Sequence, residues 1–306
     1  MSSLTRTAPP GKPLAPAREV ERAYRYCQET TRKHAKSFYF CAHFLPPAKR
    51  RAIYAVYALC RHVDDEVDEA GVRDEAGARA AVERWRRELQ SVYRGEEASS
   101  ASSPVLVAWR DMLKTYPIAE ELPLDLMRGV LMDTYQKRYA TWDELRVYCY
   151  RVASVVGLMS SEIFGYREPV TLKYAEALGL AMQLTNILRD VGEDLMLDRI
   201  YLPQDDLAGF GVTESALARG KVTENFRALM RFEIARARSF YGEAEKGIPL
   251  LDRDARFTVL LAARLYGRIL DEIERADFDV FTRRAHLTLF GKMRAAPRVW
   301  REARKL

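Results

Sequence analysis

QLTNILRDVGED, residues 183–194, places polar side chains at Gln183, Asn186, Asp190 and Asp194, with Leu184, Ile187, Leu188 and Val191 between them. Steps of three and four put the polar groups on one face of a helix. Asp190 and Asp194 repel one another along that face, and aspartate is a mediocre helix former. A polar stripe on an otherwise apolar helix faces either solvent or a functional cavity. Gln183 and Asn186 favour the cavity, because carboxamides supply oxygen ligands and hydrogen-bond partners for phosphate. RHVDDEVDEA, residues 61–70, repeats the pattern. Asp64 and Asp68 share a face with Arg61 and Tyr57, three and seven residues before Asp64. Asp65 lies roughly 100° around the axis and borders that face, while Glu66 and Glu69 read as outer-face charges.

The surrounding chain reads as helix. AREVERAYRYCQETTRKHAKSFYF, PPAKRRAIYAVYALC, TWDELRVYCYRVASVVGLMSSEIF, TENFRALMRFEIARARSFY and ARFTVLLAARLYGRILDEIE all carry apolar residues at helical spacing. Strand-like alternation bounded by turns is missing from the sequence, as is any fixed repeat. Thr141 with Glu144 forms a capping box. The expectation is one all-α domain of roughly ten helices over residues 18–306, after a disordered leader over residues 1–17, rich in Pro, Ser and Ala.

Composition narrows the function. The 306 residues are 48% hydrophobic and 30% charged, with net charge +6, an ordinary globular balance. Cys27, Cys41, Cys60 and Cys149 form no CxxC or zinc-finger spacing and sit in apolar stretches; they read as buried free thiols in a cytoplasmic protein. The start of the chain lacks the apolar core of a secretory signal, and no window suits a membrane span. The basic end, GKMRAAPRVWREARKL, reads as a solvated or membrane-grazing helix, not a nucleic-acid binder.

Two DxxxD pairs, each beside an arginine (Arg61, Arg189), suggest divalent metal. Mg²⁺ is hard, prefers oxygen, and usually binds through one or two carboxylates plus substrate phosphate. The competing reading of each pair is a solvated helix face. EF-hand, P-loop, HExxH and GxSxG patterns are missing, and GFGVTE is not a dinucleotide fingerprint.

HAKSFYF (34–40), AIYAVYALCRHVDDEVDE (52–69), YCYRVASVVGLM (148–159), QLTNILRDVGED with RIYLPQDDL, and AARLYGRILDEIE (262–274) together resemble the squalene/phytoene synthase family, the head-to-head prenyl diphosphate synthases. They run in the family's order. The resemblance implies an isoprenoid synthase fold in which two aspartate-rich helices face across a central cavity. It implies the joining of two geranylgeranyl diphosphates through a cyclopropylcarbinyl diphosphate to phytoene, with Mg²⁺, or alternatively Mn²⁺, and without NADPH. The alternative is squalene, dehydrosqualene or hydroxysqualene from two farnesyl diphosphates. A non-catalytic assembly factor would be expected to lose motif acids that are present here.

Carried over position by position, the resemblance implies a metal set of Asp64, Asp68, Asn186, Asp190 and Asp194. Arg61 and Tyr266 join those aspartates in catalysis. Substrate contacts are expected from His34, Ser37, Phe38, Tyr57, Tyr148, Gln183, Arg189 and Arg283, and from Ala153, Val156 and Gly157 as channel wall. Met182 replaces an asparagine common in the family, and LMLDR (195–199) replaces ARRGR. A water-insoluble product and a cationic end lead to the expectation of peripheral attachment to the inner face of the cell membrane. Oligomeric state leaves no mark in the sequence.

Overall fold

Prolines and hydroxyl caps set where the helices begin. Pro104 opens a helix whose first turn is capped by Ser103, which accepts from the Val105 amide at 3.3 Å. Thr141, Thr213, Thr223 and Thr288 cap four more in the same way. The Thr141 hydroxyl accepts from the Glu144 amide, and the Glu144 carboxylate reaches back to the Ala140 amide at 2.7 Å. Each such cap stabilises its helix by about 1 kcal/mol.

The computed structural model describes residues 17–71, 75–96, 103–285 and 288–306. The expected leader lies outside them, apart from Ala17, the first residue of α1. Among the described residues there are fourteen α-helices: α1 Ala17–His34, α2 Lys36–Ala42, α3 Pro47–Gly71, α4 Glu75–Tyr93, α5 Pro104–Leu113, α6 Glu121–Tyr135, α7 Trp142–Cys149, α8 Val155–Phe164, α9 Thr171–Met196, α10 Gln204–Gly209, α11 Glu214–Ala218, α12 Glu224–Glu245, α13 Arg253–Arg275 and α14 Leu289–Ala303. The fold is all-α, with two isolated bridges (Arg138 to Ile200, Tyr166 to Leu251) as its extended pairings among the described residues.

Two stretches read as continuous α-helices depart from that regularity, one by a break and one by a change of helix type. Ala35, at φ −132°, separates α1 from α2. Tyr150–Ser154 forms a π-helical turn between α7 and α8. That turn presses onto α9 where Gly179 leaves room: a Cβ there would lie 2.4 Å from the Ser154 Cα. The Ser154 hydroxyl then donates to the Glu176 carbonyl at 2.9 Å. A π-turn adds a residue without ending the helix and shifts the register of the turns beyond it.

Two core regions flank the centre. One surrounds α3 and includes Ile53, Leu59, Trp109 and Met127. The other surrounds α9 and includes Leu184, Leu188, Phe226 and Met230. α3 packs on α1, α4, α5, α6 and α8, whereas α9 packs on α12, α13, α8 and the π-turn. α8 packs on both α3 and α9 and so joins the two regions.

Candidate active site

α3 and α9 each carry a row of side chains that keep partial exposure while their helix neighbours are buried. On α3 these are Tyr57, Cys60, Arg61 and Asp64, between buried Val56, Ala58, Leu59 and Val63. On α9 they are Leu178, Met182, Gln183, Asn186, Arg189 and Asp190, between buried Ala181, Leu184, Thr185, Ile187 and Leu188. Each set steps by three and four, so each is one helix face. Cys60 of α3 and Tyr266 of α13 are both part-exposed, and burial raises the Cys60 thiol to about 12.

Aromatic groups lie near both acidic runs. Phe38 of α2 lies 5.6 Å from Tyr57, ring to ring. Burial pushes the Tyr57 hydroxyl up to about 12, against the pull of Arg61 and with a smaller push from nearby Asp64. Tyr266 of α13 is raised by burial, against the pull of Arg189 and with a smaller push from Asp190 of α9. Tyr57 therefore lies near Asp64, and Tyr266 near Asp190. His34 is exposed beside Arg61, and its basicity is lowered by desolvation and then by that arginine. Ser37 is half-buried on the same short helix as Phe38.

The two acidic runs have different electrostatics. Arg61 donates to Asp65 at 3.0 Å and to Asp64 at 3.3 Å. Asp190 is gripped from two sides, by Arg189 at 2.7 and 2.5 Å and by Arg284 at 2.9 and 3.1 Å. Burial would raise its carboxyl, but these two arginines hold it below the ordinary carboxylate range. Asp194 lies one turn further on. Burial first, then the negative charges of Asp190, Asp133 and Glu193, push it up to about 7 against the pull of Arg199.

Asp133, at the end of α6, was not legible as a site residue. It accepts from the Tyr148 hydroxyl at 3.0 Å and from Tyr201 at 2.7 Å. Tyr139, Tyr148 and Tyr201 pack with ring centroids 5.1–5.8 Å apart. Tyr148 is therefore directed at Asp133, which stands close enough to Asp194 to raise it.

Arg284 is the second missed residue. Its neighbour Arg283 is exposed, with its charge acting on Asp279. The loop reaches Asp190 because Gly192 has no side chain: a Cβ there would meet the Val280 carbonyl at 2.6 Å and the Phe281 Cα at 2.9 Å. Asp279 fixes the same loop by accepting from the Phe281 and Thr282 amides.

A separate apolar cavity lies where α8, α9 and α13 meet. Gly157 of α8 approaches the Ala175 carbonyl of α9. With Phe164, Leu178, Leu251 and Val259 they border a cavity of about 50 Å³. Val156 is part-exposed one residue before, and Ala153 lies on the π-turn. The Asn186 amide donates to Gln183 at 3.3 Å, on the polar half of α9. Among the described residues no three His, Cys, Asp or Glu side chains form a metal cage. The carboxylate of Asp68 lies outside the described residues.

The squalene/phytoene synthase family model matches residues 31–291. A 15-cis-phytoene synthase from Synechocystis sp. is 42% identical over the whole of this chain and 92% of its own length. A phytoene synthase from Arthrospira platensis is 44% identical, covering 93% of this chain and 94% of that protein. The crystal structure of a dehydrosqualene synthase in complex with ligand aligns with TM-score 0.87 at 30% identity, covering 95% of this chain and all of that one. The chain belongs to the squalene/phytoene synthase family.

The departure from the family pattern at LMLDR also acquires a shape. Asp198 adopts φ +56°, a left-handed conformation that glycine takes most readily. Its carboxylate pairs with Lys137 at 3.1 Å and Arg138 at 3.0 Å. Met196 and Leu197, where the family pattern is basic, are 87% and 59% exposed. Arg199 is retained, and its guanidinium donates to the Asp133 carbonyl at 3.3 Å.

Proposed function

We propose that this protein condenses two geranylgeranyl diphosphates head to head to phytoene, as a Mg²⁺-dependent prenyltransferase. The observation that carries this reading is the pair of arginine-flanked acidic faces, with Asp64 on α3 and Asp190 on α9, in a chain whose relatives at 42–44% identity are phytoene synthases.

Asp64, Asp68, Asn186, Asp190 and Asp194 would hold the metal, with Mn²⁺ as an alternative ion. Bound there, it neutralises diphosphate and makes it a competent leaving group. Arg61, Arg189 and Arg284 already stand beside the acids and offer planar forks to diphosphate oxygens. Tyr266 lies close enough to Arg189 and Asp190 to be influenced by both. Its ring, with those of Phe38 and Tyr57, presents π-faces to an allylic cation. Gly157, Ala175, Leu178 and Val259 exclude water from the prenyl chains. Loss of a proton, not hydride transfer from NADPH, ends the reaction. We also read the protein as a cytoplasmic one attached peripherally to the membrane that receives its hydrocarbon product.

A farnesyl-based reading rests on the likeness to the dehydrosqualene synthase structure. Incubating the purified protein with either diphosphate and Mg²⁺, with and without NADPH, separates the two. Phytoene from the C20 substrate without NADPH is expected. Failure to release diphosphate from either substrate would overturn the enzyme assignment.

A further inference from the structure

The last helix stands apart in charge. Residues 289–306 hold six basic side chains, Lys292, Arg294, Arg298, Arg301, Arg304 and Lys305, against the single acid Glu302. They therefore carry five of the chain's net charge of +6. α14 seats on α13 through buried Ala295 and Val299, in a cluster with Leu261 and Leu265. Its other side presents Met293 and Trp300, 59% and 48% exposed. The seven-residue step aligns them on one face, with exposed Pro297 between them. The Arg304 guanidinium lies over the Trp300 ring at 4.7 Å. Arg294 and Arg301 are exposed and have no acid partner among the described residues. Glu302 is drawn towards Arg264 of α13, with Arg298 on its other oxygen, both at 3.3 Å.

An apolar line with a cationic rim fits one partner, the surface of an anionic bilayer. Tryptophan and methionine enter the boundary between headgroups and acyl chains, while arginines bind lipid phosphate. A nucleic acid would satisfy the arginines but offers nothing to Met293. No helix among the described residues is long and apolar enough to cross a membrane.

We infer that α14 docks the protein on an anionic phospholipid bilayer, lying along the surface with Met293 and Trp300 inserted and Arg294, Arg301 and Arg304 on lipid phosphates. This gives a location to the peripheral attachment proposed above and rests on that reading. The cluster beneath α14 extends through Val259 to Phe164 and Leu178, which border the apolar cavity beside Gly157.

Flotation of the full chain tests it, using vesicles of phosphatidylcholine alone or with added phosphatidylglycerol. The protein is expected to float with the anionic vesicles and not with the neutral ones. The triple change Arg294→Gln, Arg301→Gln, Arg304→Gln lowers partitioning about 100-fold, since each basic group near the surface contributes separately. The pair Met293→Ser, Trp300→Ser lowers it about tenfold or more. Helical circular dichroism and diphosphate release in detergent stay unchanged in both variants. Absence of flotation by the unaltered protein overturns the proposal, and so does flotation indifferent to the variants. Loss with the arginine changes alone would mean adsorption by charge and overturn insertion. A protein that floats yet releases no diphosphate would sink the enzymatic reading and leave α14 docking standing.

Discussion

The two aspartate-rich helices share a pattern but not an environment. On α3 the acids are open: Asp64 and Asp65 keep 42% and 39% of their side-chain surface, and one arginine of the same helix serves both. On α9 Asp190 keeps 17%, and it is held by an arginine from its own helix and another from a distant loop. Asp194, one turn later, is pushed to about 7 by burial and by its acidic neighbours. The two acidic runs thus differ: Asp64 and Asp65 on α3 are accessible and share one arginine, whereas Asp190 and Asp194 on α9 are more enclosed and repel one another. Sequence spacing fixes which carboxylates meet, whereas burial fixes what each of them can do.

The largest expected effect comes from removing the acid from either face. Asp190→Ala and Asp64→Ala should each lower turnover by about 1000-fold or more, because several kcal/mol of leaving-group neutralisation is lost. Circular dichroism should stay helical. Turnover retained by both variants would break the assignment of the two runs to one site.

Asp133→Asn should rank next, with a loss of about 10- to 100-fold. It removes the charge that accepts from Tyr148 and Tyr201, and with it one repulsive neighbour of Asp194. The apparent pKa governing Mg²⁺–diphosphate binding should therefore fall. A structural role alone would lower stability without moving that value.

The contrast between the runs also predicts a pH dependence. Asp194 is raised to about 7, so without metal it is largely neutral below that pH. Metal needs the anion, and binding there releases a proton. Affinity for Mg²⁺ with inorganic diphosphate should rise about tenfold per pH unit up to about 7, then level off. The sign for the metal-free fold is opposite: the contribution of a raised carboxylate to stability is greatest below its ordinary range and is lost as pH rises through about 7. Calorimetry in buffers of different ionisation enthalpy reads the released proton, and Asp194→Asn should flatten the profile. An unchanged slope in that variant would assign the titration elsewhere.

The smallest effect belongs to Asp65→Asn. Asp65 is half-exposed and shares Arg61 with Asp64. Stability should change by less than about 1 kcal/mol, as for other surface pairs. A thermal melt that falls by much more would make the α3 pair as constrained as the α9 pair and erase the contrast.

The helical fold and the two polar stripes were legible because steps of three and four carry both periodicity and chemistry. Gln183, Asn186 and Asp190 appear on one part-exposed face as that spacing requires. The interruptions were not legible. The π-turn at Tyr150–Ser154 changes backbone register without changing composition, and Ala35 is a good helix former that nonetheless ends α1. Asp133 sits singly on an amphipathic helix and gains meaning only when Tyr201 arrives from far along the chain. Arg283 and Arg284 are adjacent in a loop, where no periodicity says which of the two turns inward. One unused signal was available: Gly192 sits inside a helix, where glycine costs about 1 kcal/mol relative to alanine, and such a residue usually has a packing reason.

That glycine makes the seat of the Arg284 loop a matter of mechanical tolerance. The loop carrying Arg284 crosses α9 at a gap narrower than a methyl group. The distance between its guanidinium and Asp190 is therefore set by backbone against backbone, before any charge acts. Ions and substrates can loosen or replace that pair, but the gauge between loop and helix is built into the chain.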